Sequence, residues 1–254
     1  MAERIEADLA DVLSSDSNVL AMWLEGSRAG GREDEYSDMD LNFMVKDGSS
    51  GVVYELIEER LTALGGLDVN YERYCTPKFV RQKVYHIKGS SRFLIIDCNV
   101  EEQQRGFVFM RGVDELRVVF DKHGSLKFQD LETRKMEQAN LDASREIRGA
   151  YYGFRPNVEK QYLRGKFIEA FGYYQRYVLE PLIEVLRIAF IPAKTGYYIK
   201  DIYRDLPHEV TTALEELFKV ADISEFEQKI SQADELFERA VRLINSTRQA
   251  HPRS

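Results

Sequence analysis

Cysteine is nearly absent from this chain. Cys75 and Cys98 are the only two in 254 residues, and neither stands in a CxxC or beside a histidine, which excludes a disulfide framework and a cysteine-based zinc site. Both read as buried free thiols. The four histidines, His86, His123, His208 and His251, have no helical or hairpin spacing that would bring two onto one metal. Basic charge is in the minority: 35 Lys+Arg against 43 Asp+Glu leave a net charge of -8, the wrong sign for holding long nucleic acid through its phosphates. Nucleic acid is therefore not an expected partner, although a local basic groove stays open. Long apolar runs are missing too, since none approaches the roughly 20 residues of a membrane span. The opening MAERIEADLADVLSSDSNVL is acidic and amphipathic, unlike a secretory signal. A cytoplasmic protein with no membrane partner is the expectation, and there is no internal repeat or low-complexity tract.

What is present suits an ordinary folded protein, because 44% hydrophobic residues in a chain of this length can build a buried core. Ile5, Leu9 and Val12/Leu13 recur at helical spacing and predict a short leading helix. Val19–Leu24 predicts a buried strand closed at Gly26, and the polar stretch from Ser27 to Ser37 a loop. Met39–Val45 predicts a second strand, and 52–64 a helix ending at Gly65-Gly66. Three more extended segments follow at 67–74, 81–87 and 92–100, the last two joined by a turn at Gly89-Ser90, and Arg117–Phe120 adds one more. Beyond about residue 128 helical patterns take over. They include a long helix opened by Pro156 and disturbed at Pro181, a loop at 191–196, and amphipathic helices over 207–220 and 224–244. The boundary is placed between about Gly124 and Leu131, giving a mixed α/β (α+β) domain at 1–127 and an all-helical bundle at 128–254.

The chemistry concentrates where the second strand begins. Carboxylates at i and i+2 on a strand share a face, so Asp38 and Asp40 can serve one metal or bridge two ions about 4 Å apart. Magnesium takes much of its shell from water and substrate phosphates, so few protein carboxylates suffice. The Gly26-Ser27 pair ahead of that strand lets backbone approach a triphosphate, with a hydroxyl to donate to phosphate oxygens. Arg28 or Arg32 would add positive charge, and Gly30-Gly31 permits the tight loop that brings Ser27 toward Asp38.

Leu24-Glu25-Gly26-Ser27-Arg28-Ala29-Gly30-Gly31 followed by Ser37-Asp38-Met39-Asp40-Leu41 resembles the signature of the DNA polymerase β-like nucleotidyltransferase superfamily, and within it small bacterial aminoglycoside adenylyltransferases. The resemblance covers about the first hundred residues. It implies a nucleotidyltransferase domain and a helical acceptor-binding domain. It also implies transfer of a nucleoside monophosphate, AMP from ATP, to a hydroxyl of a small molecule of the aminoglycoside kind, hence a role in antibiotic resistance. Two magnesium ions held by Asp38 and Asp40 would be the cofactors. A third carboxylate on a later strand, Asp97 within Arg92–Val100, would bind the catalytic ion and help to deprotonate the acceptor. Burying a carboxylate in so apolar a strand is costly unless it is paired or metal-bound. The competing account makes Asp97 an ordinary strand carboxylate satisfied by an arginine or by solvent, with Asp68 as the fallback.

Gly26, Ser27, Arg28, Lys160 and Lys166 are the candidate nucleotide-binding residues, the two lysines as mobile cations for the triphosphate or else a solvated helix face. Glu159 and Glu169 read as surface charge, Trp23 as a core anchor, and most of the tyrosines as core. Two alternatives remain: nucleotidylation of a protein or tRNA acceptor, as in toxin and antitoxin members of the superfamily, and a catalytically silent nucleotide-binding module. Pairing with a second copy of the chain is left open.

Overall fold

The computed structural model describes residues 1–73 and 79–250, so Tyr74, Cys75 and His251 lie outside the described residues. The chain divides into two compact units, Met1–Leu131 and Glu132–Ser254.

The first unit runs α1 (Ala2–Ser15), β1 (Val19–Leu24), α2 (Gly26–Ala29), β2 (Met39–Val45), α3 (Ser50–Gly65), β3 (Leu67–Arg73), β4 (Val80–Ile87), β5 (Ile96–Glu102), β6 (Val108–Met110), β7 (Arg117–Asp121) and β8 (Lys127–Gln129). Six strands form one sheet in the order β3-β4-β5-β2-β1-β7. It is mixed: β2 and β5 are parallel, whereas the other neighbours are antiparallel. The parallel pair requires a crossover, and α3 is part of it.

Two helices cover one sheet face. Ile5, Leu9 and Leu13 repeat every four residues on α1, and Val53, Tyr54, Ile57 and Leu61 line α3. They meet Met39, Leu41, Phe43 and Val45 of β2 and Ile96, Cys98 and Val100 of β5 in a continuous core. Fully burying such aliphatic side chains contributes about 1.5–3 kcal/mol each. Arg60 of α3 donates to both oxygens of Asp8 on α1, at 3.0 and 2.6 Å, which fixes how the two helices lie on the sheet. Cys98 is a buried free thiol, and burial pushes it above its ordinary range.

By strand alternation, the other face carries Asp40, Asn42 and Met44 of β2 and Asp97, Asn99 and Glu101 of β5. Only part of it is apolar: Ala21, Trp23, Met44, Phe109 and Leu126 form a separate small cluster there. Trp23 is fully buried and meets Phe109 edge-on at 5.5 Å between ring centroids, a core anchor as its strand position suggests. β6 and β8, three residues each, pair with one another. Segments that short show no alternation to read. The pairing keeps residues 127–129 with the first unit, so the division falls after Leu131.

The second unit is helical: α4 (Thr133–Phe154), α5 (Pro156–Leu163), α6 (Phe167–Tyr174), α7 (Glu180–Phe190), α8 (Ile202–Asp205), α9 (His208–Phe218) and α10 (Phe226–Ala250). Among the described residues no helix is long and apolar enough to cross a membrane. The single helix expected from Pro156 onward is broken at Gly165, whose φ of +72° suits glycine. There the Lys166 amide donates to the Gln161 carbonyl and the Gly165 amide to the Tyr162 carbonyl, a Schellman ending. Pro181 neither breaks nor ends the next stretch. Residues 175–179 form a π-helical segment just before it, which absorbs the ladder bond that proline cannot make.

Arg187, buried to 0% exposure, organises the loop between α7 and α8. Its Nε donates to the Tyr198 carbonyl at 2.6 Å, its Nη2 to the Lys200 carbonyl and its Nη1 to Asp205 Oδ2 at 3.2 Å. The loop tolerates left-handed backbone at Tyr198 (φ 48°) and Asp201 (φ 56°) because these bonds hold it. Burial opposes ionisation of Asp205, but Lys194, Arg187 and Arg204 together hold its carboxyl below the ordinary value. Asp205→Asn is expected to lower the stability of this unit by about 3 kcal/mol at neutral pH, since one buried cation loses its carboxylate partner. Because the folded-state value lies below the unfolded one, the contribution is complete above the usual aspartate range near ~3.9 and fades as pH falls toward the folded-state value. Thermal melts of both proteins from neutral to acid pH check this; curves that differ equally at every pH would contradict it.

Candidate active site

The polar face gathers its functional groups where β1 ends and β2 and β5 begin. Glu25 continues β1 by donating its amide to the Asp40 carbonyl at 3.2 Å. The chain then turns at Gly26 with φ +67°. A Cβ on Gly26 would stand 2.2 Å from Asp40 Oδ2, so the place of the missing side chain is taken by that carboxylate. Ser27 follows within α2, a single helical turn where the sequence suggests only loop. Its Oγ is buried without a hydrogen-bond partner among the described residues. Buried hydroxyls are usually satisfied, and this one belongs to the residue that directly follows the turn bringing Gly26 against Asp40.

The loop back to β2 is braced by its own arginines. Arg28 Nε donates to the Asp38 carbonyl at 3.0 Å, spanning the turn from α2 to the strand. Arg32 grips both oxygens of Glu115 at 2.6 Å and packs over Gly30, where a Cβ would meet its Nη1 at 1.9 Å. That employment makes Arg32 a brace. Asp38 is exposed and sits one residue before β2, which begins at Met39. The strict i, i+2 strand geometry expected for Asp38 and Asp40 therefore applies to Asp40 alone, with Asp38 on the loop end beside it.

Asp97 lies directly across from Asp40 in the parallel β2–β5 pair, and partners in such a pair point to the same face. Both carboxylates are half-buried. Asp97 accepts from Gln82 Nε2 at 2.7 Å through each of its oxygens, so a glutamine rather than an arginine satisfies it. Asp68, the fallback carboxylate, is on β3, two strands from β5. It pairs instead with His86 Nδ1 at 2.6 Å, which lowers the Asp68 carboxyl and raises the His86 imidazole relative to their ordinary values.

Four further polar residues share this face and went unremarked in the sequence. Glu25 accepts from Trp23 Nε1 at 2.9 Å, and Gln82 holds Asp97. Asn42, 3% exposed, has a buried Nδ2 without a partner among the described residues, as has Glu101, 8% exposed, at its Oε2. Burial raises the Glu101 carboxyl above its usual range against the opposing pull of Arg105. Extending the i, i+2 rule from Asp40 to Asn42, and from Asp97 to Asn99 and Glu101, would have found two of the four.

Lys160 and Lys166 belong to the second unit. Lys160 Nζ donates to Asn157 Oδ1 at 3.3 Å and Lys166 Nζ to Glu169 Oε1 at 3.2 Å. Glu159 pairs with Arg155 at 3.4 Å, and both glutamates are surface charge. Tyr151 and Tyr174 are buried in that unit's core, whereas Tyr173 is 38% exposed.

Among the described residues no three His, Cys, Asp or Glu side chains are grouped so as to hold a metal by themselves. Two adjacent carboxylates, a third at the loop end and a neighbouring orphan hydroxyl nevertheless fit magnesium, a hard cation that completes its shell with water and phosphate oxygens.

A mixed α+β sheet with paired carboxylates at the start of two parallel strands, followed by a helical unit, is thus the architecture. No family model matches the chain, and no curated protein matches it. Among solved structures, it is similar to an aminoglycoside 6-adenyltransferase from Bacillus subtilis, at 13% identity and a TM-score of 0.41, covering 100% of this chain and 93% of that one. A nucleotidyltransferase-like protein from Exiguobacterium sibiricum matches at 10% identity and 0.38, covering 100% and 81%. A spectinomycin adenyltransferase from Enterococcus faecialis, solved with ATP and spectinomycin, matches at 13% and 0.36, covering 94% and 97%. At such low identity and superposition these likenesses transfer no residue role to this chain.

Proposed function

We propose that this chain is a magnesium-dependent nucleotidyltransferase that passes a nucleoside monophosphate, AMP from ATP, to a hydroxyl of a small polycationic acceptor of the aminoglycoside kind. The observation that carries this reading is the register of Asp40 against Asp97, with Gly26 set against the Asp40 carboxylate and the next residue, Ser27, holding a buried hydroxyl without a partner among the described residues. Asp38, Asp40 and Asp97 would hold magnesium, which when bound supplies Lewis acidity to the phosphoryl group and eases deprotonation of the acceptor.

The chain's own groups do the rest. Gly26 leaves the space in which Asp40 sits, and Ser27 Oγ donates to a non-bridging phosphate oxygen. Arg28, held to the Asp38 carbonyl, places positive charge beside the triphosphate. The acceptor oxygen forms its bond to the α-phosphorus as the bond from that phosphorus to the β-phosphate oxygen breaks. Pyrophosphate leaves, and the hydroxyl proton passes to Asp97 and then to water. A cationic acceptor suits a site rimmed by Glu25, Asp38, Asp40 and Asp97 in a protein of net charge -8, because such a field concentrates cations.

The test is incubation with each labelled nucleoside triphosphate, with and without magnesium, against panels of aminoglycosides, proteins and RNAs. Magnesium-dependent pyrophosphate release with label on a small cation is expected. Label on protein or RNA would replace the acceptor assignment, and no release with any acceptor would overturn the reaction.

A further inference from the structure

Gln82 stands at an unusual place relative to Asp97. Its Nε2 is 2.7 Å from both carboxylate oxygens, and equal distances put the nitrogen on the mirror line of the carboxylate. That is where a cation chelated by both oxygens would sit. The contact is diagonal: Val84 is the register partner of Asp97 and Gln82 that of Asn99, a separation long side chains can bridge. On its other side Gln82 faces its register partner on β3, Arg73, whose Nη1 donates to Oε1 at 3.4 Å. A guanidinium only donates and an ionised carboxylate only accepts, so these two neighbours set the amide one way round. Each Asp97 oxygen keeps a second lone pair, directed away from Gln82.

We propose that Gln82 is a positioning residue that blocks two-oxygen chelation of a divalent cation by Asp97. In the nucleotide-free protein the carboxylate is then a poor cation trap. In the loaded site it offers one oxygen to the metal and its remaining capacity to the acceptor hydroxyl. Arg73 secures the amide orientation from behind. This rests on the reaction proposed above.

The probe is manganese alone, titrated into the nucleotide-free full chain and followed by the electron paramagnetic resonance signal of free Mn2+. Gln82→Met keeps the length and shape of the side chain without its donors. It is expected to bind Mn2+ about tenfold more tightly than the wild type while its kcat falls about tenfold or more, the scale of groups that orient metal ligands. KM for the nucleoside triphosphate should stay within about twofold, a split that general loosening would not give. In Gln82→Met/Asp97→Asn the gain in Mn2+ affinity should vanish. Gln82→Asn, too short to reach Asp97 yet fully polar, should reproduce the gain if the methionine variant fails to fold. Unchanged or weaker Mn2+ binding by a folded Gln82 variant, with wild-type turnover intact, overturns the role of Gln82 and leaves the reaction standing. A gain that depends on Asp97 in a protein without any nucleotidyl transfer overturns the reaction and leaves the clamp standing.

Discussion

Asp40→Asn is expected to reduce magnesium-dependent pyrophosphate release by about three to four orders of magnitude while leaving the fold intact. Asparagine is nearly isosteric, and position 40 is half-buried on a strand whose core contacts are made by Met39, Leu41, Phe43 and Val45 on the opposite face. The pairing of β2 with β1 and β5 uses backbone groups that the change leaves in place. What is lost is the negative charge at the centre of the constellation. Asp97 lies directly across from it, Asp38 two residues before it and Gly26 against one of its oxygens. An electrophilic cation supplies several kcal/mol to the transition state of phosphoryl transfer, and each 1.36 kcal/mol is about tenfold in rate. The asparagine amide would also turn a donor toward that cation. Circular dichroism and thermal melting should match the wild type, and label transfer should be near background. Turnover within about tenfold of the wild type would show that Asp40 holds no catalytic metal.

The two sides of this constellation were unequally legible. Polar Asp40 between apolar Met39 and Leu41, after a glycine-serine turn, is a local pattern and can be read off the chain. The opposition of Asp40 and Asp97 is not local. It depends on a parallel register between strands whose sequence separation includes α3, β3 and β4, and a one-residue slip would turn Asp97 to the core face. The packing of Ile96, Cys98 and Val100 in one core with residues of α1 and α3 favours that register. Gln82 was harder still, because its contact with Asp97 is diagonal across two strands and nothing in its neighbourhood of polar residues marks it.

In the helical unit, apolar periodicity revealed the helices but not their interruptions. Pro181 is where a disturbance is expected, and a π-helical segment just before it accommodates it; Gly165 lies within the span expected to be one helix, and it ends a helix. The difference is energetic: a lost ladder bond can be absorbed by local rewinding, whereas a left-handed residue cannot sit inside a right-handed helix. Arg187 was silent in the sequence because a lone arginine on an amphipathic helix ordinarily reads as solvated. Its burial is made tolerable by two carbonyls of the loop that follows it and by Asp205 at the end of α8.

Gly26→Ala should come close to Asp40→Asn in its effect on turnover, although it removes no functional group. The backbone at Gly26 has φ +67°, a conformation that costs an L-residue roughly 1–2 kcal/mol. The added methyl cannot be housed, since its carbon would stand 2.2 Å from Asp40 Oδ2. Either the turn rotates and carries Ser27 away, or the Asp40 carboxylate swings out of line with Asp97. A displacement of about 1 Å at reacting groups costs on the order of a hundredfold, and the strain adds to it. A fall of about a thousandfold in kcat/KM is therefore expected, with a melting temperature lowered by only a few degrees, about what ~1–2 kcal/mol gives in a chain of this size. The added carbon points at the carboxylate and away from the hydrophobic core, so it is the geometry of the metal-holding group that suffers. Gly31→Ala is the matched control: its φ is +64° but a Cβ there meets nothing within 4 Å. It should carry the same strain and retain most of the activity. Equal losses in the two variants would assign the effect to backbone strain in the loop, and the contact between Gly26 and Asp40 would then have no part in the chemistry.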